Sequence, residues 1–182
     1  MRPVGAALLL LATSACGGAA YHMRPSTDVS PPASVDGQAV VVFAMPGDGR
    51  DVVTIADEFG VLLGQLRGHT WFARQVPPGD HRFYAFVGSS AYAVRGAELE
   101  AGRVYYVEMV DPPLGTIRFL ARGCAEATLG TAAPRELDPT ISDATLRAQV
   151  GNIPQRSLEG DRELARMSAA DQAARTLSGS CP

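Results

Sequence analysis

The chain contains no lysine; all 16 of its basic residues are arginine. Schiff-base formation and lysine general-base catalysis are thereby excluded, because both need an amine whose pKa can be lowered. Cysteine is scarce too. Cys16, Cys124 and Cys181 are the three in 182 residues, and none belongs to the CxxC pair of a zinc site. The three histidines offer no HxxxH spacing. His69 and His81, with Asp57, Asp80 or Glu108 as partners, make too sparse a ligand set for a metal, and no cofactor is expected. The formal net charge is −3 and no block of like charge stands out. The electrostatic footprint of nucleic-acid binding is therefore missing.

Reaction motifs are missing in the same way. Ser89 and Ser90 follow Gly88 without the GxSxG elbow that exposes a nucleophile. No Gly-rich loop follows a strand and opens a helix, so nothing cradles a phosphate. The turn Asp48, Gly49, Arg50, Asp51 lacks the alternating oxygens and final Glu of a calcium loop. Glu98 and Glu100 sit near one turn, whereas a glycosidase needs its carboxylates across a cleft. No catalytic residue is expected, and the chain reads as a non-enzymatic protein.

What the chain does have begins at Arg2, which precedes an apolar run from Val4 to Ala12 with four consecutive leucines. This run is too short for the ~20 residues of a bilayer span. With the small residues Ala12 to Ala15 after it, the layout is that of an export signal. The segment resembles the lipobox of bacterial lipoproteins, in which small residues precede a cysteine that becomes the acylated new N-terminus. That family usually has Leu three positions before the cysteine; here Thr13 stands there and Leu11 lies two positions earlier. The resemblance implies removal of residues 1–15 and a membrane anchor of acyl chains on Cys16, each buried methylene contributing about 0.8 kcal/mol. Gly17 after the cysteine implies, by the sorting rule of similar enterobacterial lipoproteins, a place in the cell envelope at the outer membrane of a Gram-negative source. Residues 16–37, with Gly17, Gly18, Pro25, Pro31 and Pro32, read as a flexible tether spanning roughly 25 Å.

From Gln38 to Arg122 the pattern is β. Ala39 to Met45 is continuously apolar and fits a strand buried on both faces. Seven further strands are expected: Asp51 to Ala56, Val61 to Leu66, His69 to Val76, His81 to Val87, Ala91 to Leu99, Arg103 to Val110 and Thr116 to Leu120. Pro78 with Gly79 reads as a tight turn needing positive φ at the glycine. Seven or eight short strands at this spacing predict a mainly β fold, an antiparallel β-sandwich over 38–122. Residues 123–182 form a C-terminal helical extension packed on the sandwich. It has one helix from a Ser142 cap to Gly151 and a second from Leu158 to Leu177 with a shallow, Ala-rich stripe.

Val76 to Phe86, reading VPPGDHRFYAF, and Leu99 to Met109, reading LEAGRVYYVEM, resemble a widespread group of bacterial lipoproteins carrying a small β-sandwich of the PEGA type. The resemblance covers about Gln38 to Leu120. It implies the sandwich fold and defines no catalytic residue.

Strand alternation puts Trp71, Phe83, Ala85, Val87, Tyr105, Val107 and Met109 on one parity, read as core. The other parity carries Phe72, Arg74, Arg82, Tyr84, Phe86 and Tyr106, with Glu108 beside them. Flat aromatics beside arginines make a platform for envelope glycan or peptide, or for a protein partner. The alternative is that the C-terminal helix lies on this face and buries it. Cys124 and Cys181 remain once Cys16 is acylated. In an oxidising compartment they are expected to form a disulfide; the alternative is a buried thiol and a terminal one. The expected role is structural or in protein interaction at a membrane, with glycan or peptide binding as the second reading. Replacing Cys16 by Ser should move the protein into the soluble fraction or leave its signal attached. A Ser variant of mature size that still fractionates with membranes would show that something else anchors it.

Overall fold

The computed structural model describes residues 20–28, 30, 32–110, 118–122, 129 and 132–177. Their strands, in chain order, are β1 (Met23–Pro25), β2 (Ala39–Met45), β3 (Val53–Asp57), β4 (Leu62–Leu66), β5 (Thr70–Val76), β6 (Gly79–Val87), β7 (Ser90–Leu99), β8 (Val104–Val110), β9 (Arg118–Arg122), β10 (Ala133–Leu137) and β11 (Thr176–Leu177). The helices are α1 (Asp143–Val150), α2 (Ile153–Arg166) and α3 (Ala169–Ala174).

The fold is mainly β, with two open sheets face to face. One runs β1-β10-β5-β2-β8-β9 and the other β11-β7-β6-β3-β4. Between them lie Val41, Phe43, Met45, Val107 and Met109 of the first sheet and Val53, Ile55, Phe83, Val94 and Leu177 of the second. Phe43 links the layers. Its ring stacks on Phe72 at 5.2 Å within its own sheet and meets the edge of Phe83 at 5.3 Å across the gap. Such aromatic pairs contribute about 0.5–1.5 kcal/mol beyond the area they bury.

Pairing is not antiparallel throughout. β2 runs parallel to β8, with Val41 opposite Tyr105 and Phe43 opposite Val107, and β10–β5 and β11–β7 are parallel as well. Alternation within a strand cannot reveal the direction of its neighbour, which accounts for the difference from expectation.

The boundaries shift at both ends. Part of the expected tether belongs to the domain: β1 pairs antiparallel with β10, Met23 opposite Leu137, and the Met23 side chain enters the core. The C-terminal extension supplies two strands, β10 and β11, besides its helices.

α1 forms as expected, its first turn capped by Ser142, which accepts from the Thr145 N–H at 3.2 Å. The long second helix does not form as read. α2 starts earlier, at an Asn152 cap that accepts from Gln155 N–H, and Pro154 fits its first turn because no intrahelical N–H is needed there. It ends at Arg166, where Ser168 turns the chain and caps α3 by accepting from the Asp171 N–H. Leu177, expected as the last residue of a helical stripe, is instead a core residue of β11.

The β5–β6 corner turns at Gly79 with φ +128°, and a Cβ there would meet nothing within 4 Å. A side chain would therefore suffer only backbone strain. Gly79→Val should cost about 1–2 kcal/mol in denaturant unfolding; a loss within experimental error would show that another feature sets this turn.

Candidate functional site

The candidate aromatic face spans both sheets, because β5 and β8 lie in one and β6 in the other. Equal parity therefore does not mean a shared surface, and the six residues separate into three places. Phe72 is in the interior, and Gly64 makes room for it: a Cβ at Gly64 would lie 3.0 Å from its ring. Tyr106 is half-buried on the outer face of the first sheet, packed against the cluster of Val40, Val42, Ala44, Trp71 and Val104. Tyr84 and Phe86 lie on the outer face of the second sheet, in one cluster with Leu146, Val150 and Ile153 of α1 and α2.

The helices bury that last face, so the covered reading holds for Tyr84 and Phe86, which are 6% and 3% exposed. Gly160 allows the close approach; a Cβ there would stand 3.1 Å from the Tyr92 carbonyl carbon. Polar groups then fasten α2. Arg82 reaches Asp161 at 2.8 Å, and the Tyr84 hydroxyl donates to the same carboxylate at 3.2 Å. Arg156 lies 4.9 Å over the Phe86 ring and donates to the carbonyls of Gly88 and Ser90 at 2.8 and 2.6 Å. Arg82 is thus an attachment point for the helix.

Arg74 lies on the Phe72 side of β5. Its Nε donates to the Leu63 carbonyl at 2.7 Å, spanning from β5 to β4, and its guanidinium lies 5.5 Å from the Phe72 ring. Burial holds its pKa below the ordinary arginine value. Arg74 also lines a cleft of about 350 Å³ on the outer side of the first sheet. Trp71, Ala73, Gln75 and Val40 form the floor, and Asp28, Ser30, Pro32, Ala33, Ser34 and Val35 form a wall, with Pro134 at one end. An indole, an amide, a carboxylate and hydroxyls around one hollow can stack against a flat or ring-shaped group and hydrogen-bond its substituents.

Sequence reasoning placed Trp71 in the core and residues 28–35 in a tether, so it missed this cleft. One signal was available: a strand apolar on both faces, as β2 is, implies cover on its outer side, and the residues flanking it are the nearest source.

The other candidates resolve into local contacts. His69 Nε2 lies 2.6 Å from Asp48. The His81 ring is held between Glu58 at 2.9 Å and the Pro77 carbonyl at 2.8 Å. Among the described residues no three His, Cys, Asp or Glu side chains gather as a metal site. Glu98 has φ +53° and its N–H donates to Asp80 at 2.8 Å, within the irregular pairing of β6 and β7. Cys16, Cys124 and Cys181 lie outside the described residues.

Burial, reinforced by the Asp161 charge, raises the Tyr84 phenol above 10.0, and burial raises Tyr106. The folded protein therefore favours the neutral phenols. Their contribution is complete below about pH 10 and is lost as pH rises through the folded-state values. Unfolding free energy should fall above about pH 10, and Tyr84→Phe should flatten that fall. An identical slope in both proteins would rule out Tyr84 as a source of the alkaline sensitivity.

Neither the models of known protein families nor the sequences of curated proteins match this chain.

Proposed function

We propose that this chain is a membrane-anchored envelope lipoprotein without enzymatic activity, similar to the PEGA-type lipoproteins, whose β-sandwich serves a structural or protein-interaction role. The observation that carries this reading is the order of parts. An export-type apolar run and small residues lead to Cys16, and a β-sandwich follows with no reaction motif in it. Acyl chains on Cys16 tie the protein to a membrane, at the outer membrane in a Gram-negative source, and a Cys124–Cys181 disulfide joins the far end of the chain to the end of β9.

The cleft beside Trp71 favours a second reading, a module that binds envelope glycan or peptide. The Trp71 indole in its floor suits stacking, and Gln75 with the wall of Asp28, Ser30 and Ser34 suits hydrogen bonds to hydroxyls or amides.

Trp71 is the chain's one tryptophan, so its fluorescence reports on the cleft alone. Soluble peptidoglycan fragments and short peptides should shift its emission on titration. Gln75→Ala, at an exposed cleft residue, should weaken the response about fivefold or more while leaving the melting curve unchanged. If neither ligand class moves the emission, the binding reading falls and the interaction role remains.

A further inference from the structure

The arm that follows Cys16 is locked to the domain almost at once. Ala20 and His22 are gripped by Gln65, a side chain 1% exposed in the middle of β4. Its Oε1 accepts from the His22 N–H at 2.7 Å and its Nε2 donates toward the Ala20 carbonyl at 3.3 Å, with Thr54 and Gln149 as further acceptors. The Asp138 N–H donates to the His22 carbonyl at 3.0 Å. Met23 is 93% buried by its 7% exposure, and Arg24 pairs with Glu136 at 2.7 Å. A buried glutamine in an apolar strand is costly unless it is partnered, and here the arm supplies two of its partners.

The leash is therefore short. Between Cys16 and Ala20 there are four residue steps, which reach at most about 14 Å when fully extended, against the roughly 25 Å of a coil running to Gly37. It also leaves from one side. Ala20 meets the domain at the margin where β4, β1, β10 and α1 come together, whereas the opposite margin is closed by β7, β11 and β9.

We infer that the anchored domain is mounted close and edge-on: the margin built by Ala20, His22, Gln65, Asp138 and Gln149 faces the lipid surface, and the β7–β11 margin faces away. This rests on acylation of Cys16. The partner is a bilayer surface, met at a fixed orientation. The cleft wall begins at Asp28, three residues after β1, so it too is held near that surface.

The test uses the full acylated chain in phosphatidylethanolamine–phosphatidylglycerol vesicles containing headgroup nitroxide lipid. A fluorophore is placed on Thr140→Cys, beside the Asp138 contact, or on Arg95→Cys in β7, in a Cys124→Ser, Cys181→Ser background. Both labelled positions are exposed. Quenching should be severalfold stronger at position 140 than at position 95. A Gly/Ser insert as long as residues 16–37, placed between Ala19 and Ala20, should remove the contrast, and Gln65→Leu should reduce it by loosening the arm. Equal quenching at the two positions in the acylated chain of native length overturns the mounting. Equal vesicle binding by the Cys16 and Cys16→Ser proteins overturns the anchoring reading instead.

Discussion

Strand β2 is the constraint on which the rest of the structure depends. All seven of its residues, Ala39 to Met45, are buried, so both of its faces and both of its edges must be covered. β5 pairs with one edge and β8 with the other, the latter in parallel, and parallel pairs are found where both faces of a sheet are covered. The second sheet covers the inner face. The outer face packs against Val35, Leu129 and Ala132, residues from segments of loop composition. That cover closes over β2 but leaves the hollow beside Trp71 and Gln75, so the candidate cleft arises from the way the central strand is kept dry.

The second sheet solves the same problem with helices. α1 and α2 bury the outer face around Tyr84 and Phe86, yet their apolar stripes are thin: Ile153 and Gly160 are the buried residues of α2, and α3 has none. Arginine supplies the missing attachment. Arg175 makes a two-pronged contact with Glu163, at 2.6 and 3.0 Å, while lying 5.6 Å over the Tyr92 ring. A guanidinium can serve a carboxylate and a ring at once, and such ring contacts contribute about 0.5–2 kcal/mol. Arg82 fastens α2 through the Asp161 carboxylate, and Arg156 through the Phe86 ring and backbone carbonyls. Arg175 carries the chain to β11, whose Leu177 completes the core.

These two coverings bear on function together. Helices cover Tyr84 and Phe86, and the first sheet carries a hollow of about 350 Å³ on its outer side. The arm at residues 20–25 leads directly into that hollow's wall. β1 is paired with β10, and its Met23 side chain is buried, before the cleft wall begins.

Much of the fold was legible in the sequence. Gly and Pro punctuation placed the strands from Ala39 to Leu99 within two residues at each end, because turns need backbone conformations that few residues supply. Ser142 and Gly151 bounded α1 for the same reason, and the burial of β2 followed from its unbroken apolar run. Those are local properties. The sequence also determined the absence of lysine chemistry and the layout around Cys16. Tertiary structure alone decided which face each residue shares with which neighbour. Alternation reports two faces per strand but not which sheet the strand joins, so Phe72, Tyr84 and Tyr106 shared a parity while lying in different places. A proline-rich segment became a cleft wall, and its neighbour Met23 a core residue, because β10 and Gln65, both distant in sequence, offered pairing and hydrogen bonds that no short-range pattern encodes.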